Sequence, residues 1–344
     1  MRCIRTQAPG KLVLFGEYAV IEGYDSLVAS VNRYARCSIG SHEYFELDAG
    51  RFGRFDASQL AHSPPIVRAL LTSLSGTPLK VSLDTEDFYI SDAQRAEKLG
   101  LGSSAAISVA LAAALAMHDN ERLDPARLFS QAHNVHHGIQ GVGSGVDIAA
   151  ACFGSVFSFV SRQQNRPTSC NPGVHHLQAG SQWATLRYLP SAPSPLLCVY
   201  LGHGASTPKL VKQVHNFRAQ RPQEYQQIMH DLGTVSIAAI DAWLTWDTQK
   251  LTQCITEGGA VLRALDSAAN CQIIPPSMRA LNETLRKLGA VGKTTGAGGG
   301  DMAWVLCHDE HHQRVVAEKL SSQWEVFHLD ISSGGIQDVS TDSR

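Results

Sequence analysis

Two lysines, a serine pair and an aspartate stand in settings suited to handling phosphate. Lys11 opens the apolar run Lys-Leu-Val-Leu-Phe, which places its ammonium at a strand edge within reach of an anion. A plainer reading is an edge-strand lysine that discourages aggregation. Glu17, at the end of the same run, reads either as a ligand-side carboxylate or as a solvated or ion-paired acid. At 98–106, Lys-Leu-Gly-Leu-Gly-Ser-Ser-Ala-Ala runs from a glycine-rich loop into an apolar stretch. Glycines let backbone approach a ligand closely. The first amides of a helix have no internal partner, and its dipole favours negative charge there. Ser103 and Ser104 add hydroxyls for phosphate or Mg²⁺, and Lys98 adds positive charge. The alternative is a serine-capped core helix after a glycine turn.

A third segment, Gly292–Trp304, carries glycines at 296, 298, 299 and 300, followed by Asp301. Its Gly-Lys-Thr is not a Walker A motif, because that motif needs a glycine at 287, which is Lys. A glycine cluster before a strand marks a place where a ligand or another loop lies against bare backbone, or else a plain turn. Asp301 either braces that turn or faces a substrate.

The elements that hold these segments are predicted as follows. Lys11–Phe15, Ser26–Ile39 and Leu79–Ile90 alternate like strands. Residues 103–118 read as a buried helix, apolar nearly all round, with Ser103 and Ser104 offering N-cap oxygens. Helices are predicted at 125–138 and from Asp147, and 162–182 is polar, aperiodic and reads as a surface loop or boundary. Beyond it come a buried strand at Leu196–Leu201, helices at 208–217, 223–246, 248–266 and 275–288, and a glycine turn at 292–300. A strand at Met302–Cys307, a helix at 310–321 and a strand at Trp324–Leu329 follow, and the polar tail after Ser332 is expected to fray.

Composition narrows the function classes. The 344 residues correspond to about two domains. With 44% hydrophobic and 17% charged residues the chain is an ordinary globular one. Its 29 Lys+Arg against 31 Asp+Glu leave a net charge of −2, which disfavours a broad nucleic-acid footprint. The eight cysteines form no CxxC pair and read as reduced thiols of a cytoplasmic protein. The longest near-apolar stretch, Ala105–Met117, has 13 residues and is too short to span a bilayer.

Taken in order, PGKLVLFGEYAV, GLGSSAA and KTTGAGGGD resemble the three signature segments of the GHMP kinases, small-molecule kinases that include galactokinase, homoserine kinase, mevalonate kinase and phosphomevalonate kinase. The resemblance runs from about residue 8 to 305. GEYAV at 16–20, Lys98 ahead of GLGSSAA, GSGVDIAAACFGS at 143–155, GHGAST at 202–207 and GAGGGD ending in Asp301 are similar to the phosphomevalonate kinase branch.

That resemblance implies an α+β, two-domain GHMP kinase fold. A ribosomal protein S5 domain 2-like, ATP-binding N-terminal domain would cover 1–185, and a ferredoxin-like C-terminal domain 186–344. It implies ATP and Mg²⁺ as cofactors, and a phosphorylated acid as acceptor, converted from 5-phosphomevalonate to 5-diphosphomevalonate on the mevalonate route to isoprenoids. No nucleic acid or membrane partner is expected, and the chain is expected to be a monomer or homodimer. By similarity, Lys11 and Asp147 are catalytic, and Lys98, Gly100, Leu101, Gly102, Ser103, Ser104 and Ala105 wrap the ATP phosphates, with Ser104 on the metal. Lys11, Glu17, Ser144, Gly145, Ser206, Thr207, Gly296, Ala297, Gly298 and Asp301 are expected at the acceptor. Two alternatives stay open: another GHMP kinase acting on mevalonate or a sugar, and a nucleotide-binding regulator without catalysis.

One departure concerns the metal. Mevalonate kinases carry a glutamate upstream of the catalytic aspartate, yet 131–146 holds no acidic residue. Either Mg²⁺ keeps more water or another carboxylate such as Glu17 serves. His133, His136 and His137 share one helical face, but no second ligand cluster accompanies them and Mg²⁺ prefers oxygen. They read as helix or hinge histidines.

Overall fold

In the computed structural model the described residues are 3–71, 77–91, 96–140, 143–163, 172–202 and 207–340. Strands β1 (Ile4–Phe15) and β2 (Ser26–Ser41) pair antiparallel along most of their length, with a register shift between Pro9 and Gly10. Short strands β3 (Glu46–Asp48) and β4 (Arg54–Asp56), helix α1 (Pro65–Leu71) and β5 (Leu79–Asp84) follow. A small separate sheet joins β6 (Tyr89–Ser91) to β7 (Ala96–Lys98). Helices α2 (Ser103–His118), α3 (Pro125–Gln140) and α4 (Val146–Phe153) lead to β8 (Val156–Gln163), β9 (Val174–Ala179) and β10 (Gln182–Leu189). The main sheet runs β4-β3-β5-β2-β8-β10-β9, with β1 also on β2. Its core is dominated by Leu12, Leu14, Leu27, Val28 and Phe157 on the strands and by the α2 run Val109–Ala114. A helix this apolar is stable only when enclosed. The sheet lies on one side of α2, with α3 and α4 also packed against it.

The later part of the chain builds a second layer: β11 (Leu196–Tyr200), α5 (Thr207–Gln220), α6 (Pro222–Leu244), α7 (Thr248–Ala269), α8 (Pro276–Lys287), β12 (Val291–Thr294), β13 (Met302–Leu306), α9 (Glu310–Leu320) and β14 (Val326–Leu329). Its sheet is antiparallel in the order β12-β13-β11-β14, the expected ferredoxin-like order. Strands β11 and β13 are buried at every position, and their continuous apolar sequences are those of strands covered on both faces. A second core gathers Leu197, Val199, Leu232, Leu281 and Val305, and it also takes in Tyr18 and Ala19 from just beyond β1. The chain thus divides its strands between two sheets and its core between two clusters, as the expected α+β, two-domain fold requires.

Three sequence expectations need correction. The segment expected as a loop over 162–182 contains the end of β8, all of β9 and the start of β10. In the edge strand β9 and its neighbour β10 the alternation is masked by polar residues, and Leu177, Ala184 and Leu186 are the buried positions that anchor them. Residues 292–294, expected as the start of a glycine turn, belong to strand β12, which pairs with β13. The tail does not fray at Ser332, because β15 (Gln337–Asp338) pairs with β1 and Gln7 Nε2 donates to Gln337 Oε1 at 2.8 Å. A long-range partner gives this polar segment its order.

Candidate active site

Lys11 sits on β1 just past its irregularity, and its amide donates to Leu101 O at 2.9 Å, which fastens the first segment to the second. Leu101 is fully buried, so its side chain anchors the loop in the core and its backbone is what meets Lys11. Gly102 then closes the loop as the N-cap of α2 at φ 81°, with no side chain capping the helix. Ser103 and Ser104 are thus the first helical residues and not the caps expected from sequence. A left-handed glycine replaces an Asx or serine cap, and the amides at the helix start face outward without a side-chain acceptor. This is the arrangement that binds anions.

A second helix start meets the first. Gly145, at φ 80°, is the N-cap of α4, again with no side chain capping the helix, and Asp147 lies in the first turn. Lys11 Nζ stands 3.4 Å from Asp147 Oδ1, with the lysine side chain 10% exposed and the aspartate 43% exposed. A Cβ placed on Gly102 would lie 3.2 Å from Lys11 Cε and Cγ and 3.8 Å from Asp147 Oδ2. Glycine is needed there twice over, for the positive φ and for the room Lys11 occupies. Lys98, at the end of β7, keeps solvent access, yet loss of water around its ammonium pushes its pKa below the usual lysine value. Asp301 and Asp147 oppose that shift and Lys11 adds to it, so all four groups share one electrostatic environment.

The third segment reaches the same place. A Cβ at Gly296 would sit 3.5 Å from Lys11 Nζ, so bare backbone covers the ammonium. Gly100, at φ 71°, lies so close to the Asp301 side chain that a Cβ would overlap it. The glycine spacing in these loops therefore reflects loop-on-loop contact as well as access for a ligand.

Of the residues expected from sequence, Lys11, Lys98, Gly100, Leu101, Gly102, Ser104, Gly145, Asp147, Gly296 and Asp301 come together here. Ser144 lies at the start of α4, where its Oγ accepts from Val146 N at 3.3 Å. Three placements depart from expectation. Glu17 is 4% exposed and is held by Lys293, which makes it an internal ion-pair partner and not an open ligand. Burial raises its pKa, with Lys293 drawing it back. Gly298 packs on Ile273, and Ala297 accepts a bond from Tyr18 at its carbonyl, so both brace the third segment. Ser103 and Ala105 are buried, which leaves their amides and not their side chains to face a phosphate. Thr207 begins α5, and Ser206 lies outside the described residues.

His136, Lys293 and Tyr18 were not singled out as site residues from the sequence. His136 Nε2 lies 3.3 Å from Ser104 Oγ. Burial lowers its pKa, Asp147 raises it and Lys98 lowers it, which locates the ring beside the cluster. The i, i+3, i+4 histidine pattern was the available signal, but it was read as helix or hinge histidines and carried no pointer to the Ser104 hydroxyl. Among the described residues no group of three or more His, Cys, Asp or Glu could hold a metal ion. The hard oxygens of Ser104 and Asp147 nevertheless suit Mg²⁺, an ion that takes its remaining ligands from phosphate and water.

Comparison with known proteins places this geometry. Residues 68–155 match the family model for the GHMP kinases N terminal domain, and 255–326 match the model for the GHMP kinases C terminal domain. The chain is 26% identical over 309 residues to a mevalonate kinase of Archaeoglobus fulgidus, covering 88% of this chain and 92% of that protein. It is 25% identical over 355 residues to a phosphomevalonate kinase of a Streptomyces species, covering 94% of each. In fold it resembles Streptococcus pneumoniae phosphomevalonate kinase in complex with phosphomevalonate and AMPPNP, with TM-score 0.75, 18% identity, and coverage of 96% of this chain and 100% of that one.

Proposed function

We propose, from the premise that this chain is a GHMP kinase carrying both of that family's domains, that it uses ATP to phosphorylate 5-phosphomevalonate to 5-diphosphomevalonate. The observation that carries this reading is the pair of ammonium groups, Lys11 and Lys98, in one electrostatic environment, with the Gly102 start of α2 against Lys11. An acceptor that already bears a phosphate needs a cation of its own besides those that serve the donor. We assign Lys98 to that phosphate, with Ser144 on the acceptor side. The chain divides on this reading at about 185/186 into the nucleotide-binding and the C-terminal domains.

Phosphoryl transfer asks the protein chiefly for positioning and charge stabilisation. The amides of Ser103, Ser104 and Ala105 receive the donor phosphates at the α2 dipole, and Lys11 stands between donor and acceptor. Mg²⁺, held by Ser104 Oγ, would neutralise the donor phosphates when bound. Asp147 holds the Lys11 ammonium in place and orients the acceptor oxygen. A phosphomonoester has its second pKa near ~6 and is mostly dianionic at pH 7, so Asp147 has little proton to remove. No helix among the described residues is long and apolar enough to cross a membrane, and we place the enzyme in the cytoplasm.

The Asp147 carboxylate beside Lys11 also favours a second reading, mevalonate as acceptor, for which Asp147 would be a general base. An ADP-release assay with mevalonate, 5-phosphomevalonate, galactose and homoserine separates the two. Turnover of 5-phosphomevalonate above the others is the expected result. Turnover of mevalonate alone would replace the first reading with the second, and ATP binding without turnover would leave a non-catalytic regulator.

A further inference from the structure

Lys293 and Tyr18 lie outside the reacting cluster, yet both join the first segment to the third. The Lys293 ammonium is enclosed, with its side chain 2% exposed and that of its partner Glu17 3% exposed. It donates to Glu17 Oε1, to Leu14 O at 2.7 Å and to Thr294 O at 3.0 Å, and it lies 5.2 Å from the centre of the Phe15 ring. Next to Glu17, Tyr18 adopts φ 60° and ψ −48°, a positive-φ backbone that is strained for a tyrosine. In that conformation the Tyr18 hydroxyl donates to Ala297 O at 2.6 Å, and the Tyr18 ring joins the second core. Between the Lys293 and Tyr18 ties Gly296 N donates to Val13 O at 3.3 Å. The three ties span 293–297, and the residue at their middle, Gly296, is the one lying against Lys11 Nζ.

A buried ion pair is a poor way to add stability, because desolvating two charges offsets most of their attraction, whereas it does fix geometry. A strained residue persists where its surroundings hold it in place. We propose that Lys293, Glu17 and Tyr18 are positioning residues: they clamp the third glycine segment onto β1 so that the Gly296 backbone confines the Lys11 ammonium between donor and acceptor. This inference rests on the kinase reading above for its catalytic consequence, but the clamp itself is testable without it.

The test uses the full chain with three variants: Y18F, K293M and the double substitution E17Q/K293M, which removes both charges while keeping similar volume. Amide exchange followed by mass spectrometry reads the clamp directly. Exchange of peptides spanning 294–301 is expected to accelerate about tenfold or more in Y18F and E17Q/K293M, with α2 and the main sheet unchanged. With whichever acceptor the wild type turns over, kcat is expected to fall about tenfold in E17Q/K293M while the Kd for ATP stays within about twofold. A purely structural pair predicts the opposite: K293M unfolds or loses activity, and E17Q/K293M recovers both exchange protection and kcat. Wild-type exchange over 294–301 in both Y18F and E17Q/K293M would overturn the proposal. Should the double variant not fold, Y18F decides, since loss of one hydroxyl leaves both cores intact. If the wild type turns over no acceptor, the kinase reading falls, and the exchange comparison still settles the clamp.

Discussion

Lys11 and Asp147 face each other at 3.4 Å across a glycine, on a strand and a helix 136 positions apart in the chain, with the cation enclosed and the anion open to solvent. Their asymmetry in exposure says which partner serves the other. The carboxylate can reach an incoming acceptor, while Lys11 is held by its backbone, whose amide donates to Leu101 O, and its ammonium lies against the Gly296 backbone. Asp147→Asn keeps the shape and removes the charge. If the acceptor is a phosphomonoester, kcat should fall by about tenfold or less, whereas an alcohol acceptor losing its general base would cost about 10²–10⁴-fold. Steady-state kinetics on the folded variant with each acceptor distinguish the two, and a loss of the larger size with 5-phosphomevalonate would remove the orienting role assigned to Asp147.

Gly102→Ala tests the closeness of the first two segments. The substitution forces alanine to φ 81° and brings its methyl against Lys11. Strain of about 1–3 kcal/mol is expected in stability. The activity loss should exceed that from any alanine placed on the solvent face of α3, because Lys11 must move. Thermal unfolding and kcat/KM measured together would show a catalytic loss larger than the loss of stability explains.

The depressed pKa of Lys98 predicts an alkaline limb. The protonated amine is the working form, so kcat/KM for a phosphorylated acceptor should decline as pH rises through a value below the ordinary lysine range. Arginine stays charged throughout, so Lys98→Arg should move that limb upward even if it lowers the plateau. A pH–rate profile whose limb stays in place in the arginine variant would assign it to another group.

His136 offers a separate handle on the nucleotide. In the tautomer with Nε2 unprotonated, His136 accepts a hydrogen bond from the Ser104 hydroxyl and leaves the serine lone pairs free to face outward. His136→Phe should weaken binding of ATP with Mg²⁺ by about three- to tenfold, the worth of one hydrogen bond, and His136→Gln should restore part of it. Calorimetric titration reads this without turnover. Equal affinity in all three proteins would make His136 a packing residue.

The C-terminal segment is predicted to matter for stability alone. Gly335 is buried, and a Cβ on it would overlap the Cys152 carbonyl at the end of α4. Gly335→Ala should cost about 1–3 kcal/mol as an overpacked contact and lower Tm by several degrees. The Kd for ATP should not change.

What could be read along the chain was whatever depends on neighbours in sequence. The apolar run after Gly102 sets α2, since no helix so apolar can remain in water, and its boundaries agree with those expected, 103–118. The buried runs at 196–200 and 302–306 set strands β11 and β13 for the same reason. The glycine clusters marked where backbone must come close, but not to what. Folding showed that Gly100 yields room to Asp301, Gly102 to Lys11 and Gly298 to Ile273. Partners separated by hundreds of residues leave no periodic trace. The charge on Glu17 is neutralised by Lys293, 276 positions away, and the order of the tail comes from β1 at the opposite end of the chain. Local patterning fixes which face of an element is buried. Which charge meets which, and therefore which acids and bases remain open to a ligand, depends on how the two sheets and their loops close on each other.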